Sequence, residues 1–266
     1  MIHSVITGTK KKWNGWPIKL AKLFGCLSCS LHEAVRYMSI ASIKRTLKGL
    51  TVKKQLEENI NVYDDDGRTA LICAIISKSD TLGEDKNTII DLLLNAGADV
   101  NIPDDFNGMT PLMYAEIMRD EELCVQLLSR GASQHMGDYK CVSPLMLAAS
   151  NNLKSITNIL ISRLADLDGV DEHGWTPLHY GAYAGFPHCL KLLLSNGADR
   201  RLKDSHERTA LDIARYREEH FKRYPPITRA ELQDHLGVDH GACIAALEDS
   251  KSRIADMETE ETMDIV

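Results

Sequence analysis

A hydroxyl residue, then Pro or Ala, then Leu recurs five times along the chain: Thr69-Ala70-Leu71, Thr110-Pro111-Leu112, Ser143-Pro144-Leu145, Thr176-Pro177-Leu178 and Thr209-Ala210-Leu211. Successive copies stand 41, 33, 33 and 33 residues apart. A second marker keeps the same beat: Gly97-Ala98-Asp99, Gly131-Ala132-Ser133, Leu164-Ala165-Asp166 and Gly197-Ala198-Asp199 follow one another at 34, 33 and 33. Two independent markers in phase mean tandem units, none of which can bury its apolar face without a neighbour.

Each unit makes sense as a helix pair. The Thr or Ser hydroxyl caps a first turn, Pro suits the first helical position where no amide donor is needed, and Leu opens an apolar face. A short break leads to a Leu-rich second helix, such as Cys189 to Ser195, and Gly197 can then take the left-handed conformation that closes a helix. The stretch from this glycine to the next Thr is polar, as in Asn101 to Gly108, and predicts a projecting turn or hairpin.

The segment Asp171 to Arg201 (DEHGWTPLHYGAYAGFPHCLKLLLSNGADRR) resembles a nearly complete ankyrin repeat, through its period of 33 and its Thr-Pro-Leu-His signature. Five units start near Asp64, Asp105, Asp138, Asp171 and Asp204, and Leu31-His32-Glu33-Ala34-Val35 looks like the first helix of a degenerate sixth. The resemblance implies an all-α ankyrin-repeat solenoid of about six helix-turn-helix repeats with hairpin loops and an extended C-terminal helical cap. On this reading residues 1–27 form a basic amphipathic arm, 28–63 a degenerate capping repeat, 64–221 the repeats, 222–250 the extended cap and 251–266 an acidic disordered tail.

Departures from the pattern carry their own expectations. Thr69 and Gly97 are 28 residues apart where other units have 21, so extra residues sit near Ser77 to Lys86. Cys141 and Leu164 replace the two usual glycines of the unit at Asp138, which predicts local strain. Pro225-Pro226 interrupts the last unit, so a helix at about Thr228 to Leu236 is expected before a late second helix at Ala242 to Ser250.

At 44% apolar and 26% charged residues the chain can bury a core, which excludes disordered and low-complexity classes for its bulk. Seven scattered cysteines lack the dense pairing of a secreted disulfide scaffold, and no apolar run approaches the roughly 20 residues of a membrane span. A cytoplasmic location is expected, with the nucleus as the alternative. Charge is unevenly spread, at +8 over residues 1–60 and −15 over the rest, so the two ends should carry opposite potentials. Within residues 10–27, Lys10, Lys11, Lys12, Lys19 and Lys22 interleave with Trp13 and Trp16, while Leu20, Leu23, Phe24 and Leu27 share one helical face. This arm either caps the first repeat, contacts an anionic membrane or a partner helix, or serves as a nuclear import signal.

Catalytic chemistry has no support in the sequence. Cys26-x-x-Cys29 lacks a second Cys or His pair at zinc-finger distance, and no Gly-rich phosphate loop or G-x-S-x-G elbow occurs. In the resembled motif His179 bonds within and between adjacent loops. The expectation is a non-enzyme without catalytic residues, metal or cofactor.

The resemblance implies instead a scaffold or adaptor that binds a partner protein or peptide on a concave face. In such repeats the contacts come from the second, third and fifth residues of a unit and two on the exposed side of its first helix. Among the positions selected in this way are Phe106, Met109, Met118, Tyr139, Lys140, His173, Trp175, Tyr183, Arg208 and Tyr216. An even spread of the aromatics would place about 1.4 at such positions, and five are there, as interface anchors prefer. Asn101 resembles the asparagine that a cytosolic dioxygenase hydroxylates in ankyrin repeats, a candidate modification site. Neither nucleic acid nor a small-molecule substrate is expected as a partner. The alternatives are an adaptor tethered to a membrane by its basic arm, or a regulatory subunit of an enzyme complex.

Overall fold

The hydroxyls of the repeat begin helices for the reason the spacing implies. Thr69, Thr110 and Ser143 accept hydrogen bonds from the amides of Ile72, Met113 and Met146, each at 3.3 Å. Thr209 accepts from Asp212 in the same way, and the Asp212 carboxylate accepts in return from the Thr209 amide at 2.9 Å and hydroxyl at 2.7 Å. Each such pair satisfies amides that the first helical turn leaves free.

The computed structural model describes residues 31–36, 40–49, 60–77, 86–223 and 238–248. The arm at 10–27, the bulk of the insertion between Ser77 and Lys86, the helix expected at Thr228 to Leu236 and the acidic tail lie outside these residues. The first helices of the units are α1 (Leu31–Arg36), α3 (Ala70–Ile76), α5 (Pro111–Ile117), α7 (Pro144–Ser150), α9 (Pro177–Ala184) and α11 (Ala210–Arg223). The second helices are α2 (Ile40–Gly49), α4 (Lys86–Asn95), α6 (Glu121–Ser129), α8 (Lys154–Ser162), α10 (Pro187–Ser195) and α12 (240–248). Among the described residues there is no strand, only an isolated bridge between Lys203 and Thr209.

Packing follows the repeat. Each first helix lies on the next, from α1 through α11, and the second helices stack beside them, with α2 on α4, α6 on α8 and α8 on α10. Leu71, Leu112, Leu145 and Leu178 are fully buried, each worth about 2 kcal/mol relative to exposure. Small residues at Ala74, Ala115, Ala148, Gly181 and Ala214 recur five positions after the capping hydroxyl and let the helices approach closely.

What ends the first helices was only partly visible in the spacing. Arg119, Asn152 and Gly185 sit at one repeat position with φ of 56°, 59° and 78°, a left-handed stop before the second helix. The equivalent Glu218 remains helical, so α11 runs for 14 residues. Cys141 and Leu164, standing where glycine is usual, both hold φ of 62°.

The helix expected at Ala242 to Ser250 spans 240–248 and serves the last unit. The Asp239 amide donates to the Gly185 carbonyl at 2.7 Å, Arg215 pairs with Glu248 at 2.6 Å, and Cys243 and Leu247 are buried. A side chain at Gly185 would meet Val238 at 2.6 Å and His240 at 2.9 Å, so the glycine also makes room for this docking.

Candidate functional site

One aspartate organises each projecting hairpin. Asp64, Asp138, Asp171 and Asp204 each accept, through Oδ1, the amides two and four residues ahead at 2.8–3.0 Å. In the second unit the anchor is Asp104, one residue before the predicted start near Asp105. Its carboxylate accepts from the amides of Phe106, Asn107 and Met109, because this hairpin holds one residue more than the others. Successive hairpins are joined through single backbone bonds, from Asp105 to Gly67, Tyr139 to Asn107, Glu172 to Lys140 and Ser205 to His173, at 2.8–2.9 Å.

A second set of links ties the hairpin bases together. Asn61 accepts from the Asp99 amide and Asp168 from the Asp199 amide, at 2.9 and 2.8 Å. Asn101 accepts from the Ser133 amide at 2.8 Å and donates to the Gly131 carbonyl at 3.1 Å. The side-chain amide of the candidate modification site is therefore bonded to the following repeat. Sequence reasoning named Asn101 for another reason and did not connect it with Asn61 and Asp168; the signal at Asn101 and Asp168 is an amide or acid two residues after the Asp of the Gly/Leu-Ala-Asp marker.

The predicted contact residues share the tips and the first helices, in two states of exposure. Phe106 is 68% exposed and Tyr139 65%, both on hairpins, and Lys140 and His173 are also exposed. Met118 and Tyr183 are exposed at the ends of α5 and α9, and Tyr216 is exposed midway along α11. Met109, Trp175 and Arg208 are half-buried, and the side chains of the last two have structural duties. The Trp175 indole N–H donates to Asp204 at 3.2 Å, and the Arg208 guanidinium grips the same Asp204 oxygen at 2.6 and 2.9 Å. Burial opposes ionisation of Asp204, yet Arg208 and the loop amides hold its carboxyl well below the usual range.

Trp175 connects hairpin to helix. Its ring centroid lies 5.4 Å from those of Tyr180, edge to face, and Tyr183. Arg217 of α11 stands 4.3 Å from the Tyr183 ring centroid and donates to the Tyr183 carbonyl at 3.2 Å. The result is a chain of contacts from Trp175 through Tyr183 to Arg217, running across two units.

His179 is structural in its geometry. The Thr176 amide donates to Nδ1 at 3.2 Å, so Nε2 carries the proton and meets the Arg208 carbonyl at 3.1 Å in the next unit. Burial pushes the imidazole below its ordinary value and keeps it neutral. Among the described residues no group of three or more His, Cys, Asp or Glu is placed to hold a metal ion. Nor is any described helix long and apolar enough to cross a membrane.

A family model for ankyrin repeats matches residues 31–138, 122–204 and 145–222. Neurogenic locus notch homolog protein 1 of Homo sapiens is 34% identical over 161 residues, 58% of this chain and 6% of that protein. Neurogenic locus notch homolog protein 2 of Homo sapiens is 36% identical over 119 residues, 43% of this chain and 5% of that protein. The Xenopus tropicalis notch homolog protein 1 is 32% identical over 124 residues, 46% of this chain and 5% of that protein. The chain thus spans 5 to 6% of the length of these relatives. Ankyrin repeats are generally protein–protein interaction modules, and the family is typically non-enzymatic. Matched by that family model over most of its length, and built of stacked helix pairs joined through hairpins, the chain belongs to the ankyrin-repeat family.

Proposed function

We propose that this protein is a non-enzymatic scaffold or adaptor that binds a partner protein or peptide on a concave face formed by its hairpin tips and first helices. The observation that carries the reading is the exposure of Phe106, Tyr139, Tyr183 and Tyr216 on that face, at 44 to 68% of their surface. Large aromatic rings left about half or more in water are what an interface core uses as anchors. Hairpin bonds and ring contacts already hold them in place, so binding costs little ordering entropy. The five described cysteines are free thiols, which supports a reducing compartment and hence a cytosolic or nuclear site of action.

The test is affinity purification from cells followed by calorimetric titration of the recovered partner. Tyr139→Ala and Tyr183→Ala should each weaken binding about tenfold while leaving the melting transition in place. Unchanged affinity in both variants rejects this face.

A further inference from the structure

Among the described hairpin tips, the exposed acids without an ion pair lie in the N-terminal half of this face. Asp64, Asp65, Asp66, Asp104 and Asp105 lie on the first two described hairpins, and the ion pairs formed there are those of Arg36, with Asp64 at 2.8 Å and Asp66 at 2.6 Å. Asp65 and Asp105 are exposed and make no ion pair among the described residues. In the C-terminal half the cations are already engaged. Lys140 lies 3.6 Å from Glu172, Arg208 is bound to Asp204, and Arg217 is laid on Tyr183.

Aromatic rings stand among these free acids. Tyr63 is 46% exposed, Phe106 68% and Tyr139 65%. Phe106 lies against Gly67 and Tyr139 against Gly108, so closely that a Cβ there would come within 3.1 and 2.5 Å of the rings. Glycine at these two positions lets each ring rest on the preceding hairpin with its remaining surface in water. Burial, then the fields of Asp105, Tyr139 and Asp104, raise the Tyr63 phenol, which puts these groups in one patch. A cation placed there meets a ring and a carboxylate together, and the exposed Asp65 and Asp105 oppose an anion.

We propose that the N-terminal half of the face binds a Lys- or Arg-rich extended segment of a partner protein, seated on Tyr63, Phe106 and Tyr139 and paired with Asp65 and Asp105. The proposal rests on the reading of this face as the interface and adds the charge of what it takes. Because the acids are exposed, binding is salt-sensitive.

The full chain is titrated, by fluorescence anisotropy, with a labelled peptide of about twelve residues alternating Arg and Leu, and with a counterpart carrying Glu for Arg. The Arg peptide should bind, more weakly as salt rises, and the Glu peptide should not. Asp65→Asn combined with Asp105→Asn should lower affinity about fivefold, and Tyr139→Ala about tenfold. Glu121→Gln combined with Glu122→Gln removes the same charge from the exposed start of α6 and should change nothing; circular dichroism confirms that every variant is folded. Equal affinity for the two peptides, or equal loss from the two charge-removing pairs, overturns the proposal. A natural partner that needs Tyr139 and Tyr183 but ignores Asp65→Asn with Asp105→Asn overturns the cationic segment and leaves the interface standing.

Discussion

Helices α5 and α9 occupy the same place in their units and fill it with different chemistry. Six and nine residues after the capping Thr, α9 and the residue that follows it supply Ala182 and Gly185, while the α5 unit supplies Glu116 and Arg119. Glu116 is fully buried and neither carboxyl oxygen has a hydrogen-bond partner. Among the described residues no cation faces it from a packed element. Cys124 of α6 lies within its field, the one titratable group of α3 is Cys73, which donates to Asp64, and α7 has none. The two helices nevertheless pack alike. In a stacked array each unit is held by both neighbours, so a locally costly residue is carried by interfaces that remain sound.

The largest test of this comparison moves the acid. Ala182→Glu places a carboxyl at the equivalent, fully buried site of α9. It combines overpacking with the desolvation of an ionisable group and should cost about 3 kcal/mol or more in urea denaturation. A loss no greater than that of a surface substitution, below about 0.5 kcal/mol, would show that this position is not the closed core described.

The middle effect is read through pH. Burial holds the Glu116 carboxyl well above its ordinary 4.5, so the folded chain keeps a proton that the unfolded chain releases. The sign follows from linkage. Below pH 4.5 both states are protonated and Glu116 is neutral in its effect. Stability then falls as pH rises, by about 1.4 kcal/mol per unit, until the folded-state value is passed. Asp64 and Asp204, held low in the folded state, act in the opposite direction on acidification, and a difference between two proteins cancels them. Glu116→Gln should therefore match the parent near pH 4 and become the more stable of the two as pH rises to neutral. A pH-independent difference would refute a buried, unpaired acid.

Glu116 also marks where sequence reasoning stops. The capping hydroxyls, the Leu-rich second helices and the left-handed residues at Gly97, Gly131 and Gly197 were legible because each depends on neighbours within a few positions. Glu116 in PLMYAEI looks like an ordinary polar residue; only its register with Ala149 and Ala182 puts it inside. Asp104 and Asp105 were indistinguishable by letter, since the extra hairpin residue that selects Asp104 shows only in the amides it gathers. At the candidate site, the exposure of Phe106, Tyr139, Tyr183 and Tyr216 could be read from repeat position. The half-burial of Trp175 could not, because its indole answers to Asp204, 29 residues away. Arg217 on Tyr183 likewise joins residues 34 apart.

The smallest effect sharpens the comparison at the helix stop. Arg119 holds φ of 56° where Gly185 holds 78°, and a left-handed conformation costs a residue with a Cβ about 1 kcal/mol. Arg119→Gly removes that strain but loosens the unfolded chain, so the net gain should be only about 0.5 kcal/mol. Asn152, at φ of 59°, tolerates this region through its short polar side chain, and Asn152→Gly should gain less. The order of the two gains is the informative quantity, since both substitutions loosen the unfolded chain and differ mainly in the strain they relieve. Urea midpoints measured side by side decide it: a larger gain at Asn152 than at Arg119 would mean that side-chain contacts, rather than backbone strain, set the energy of these stops.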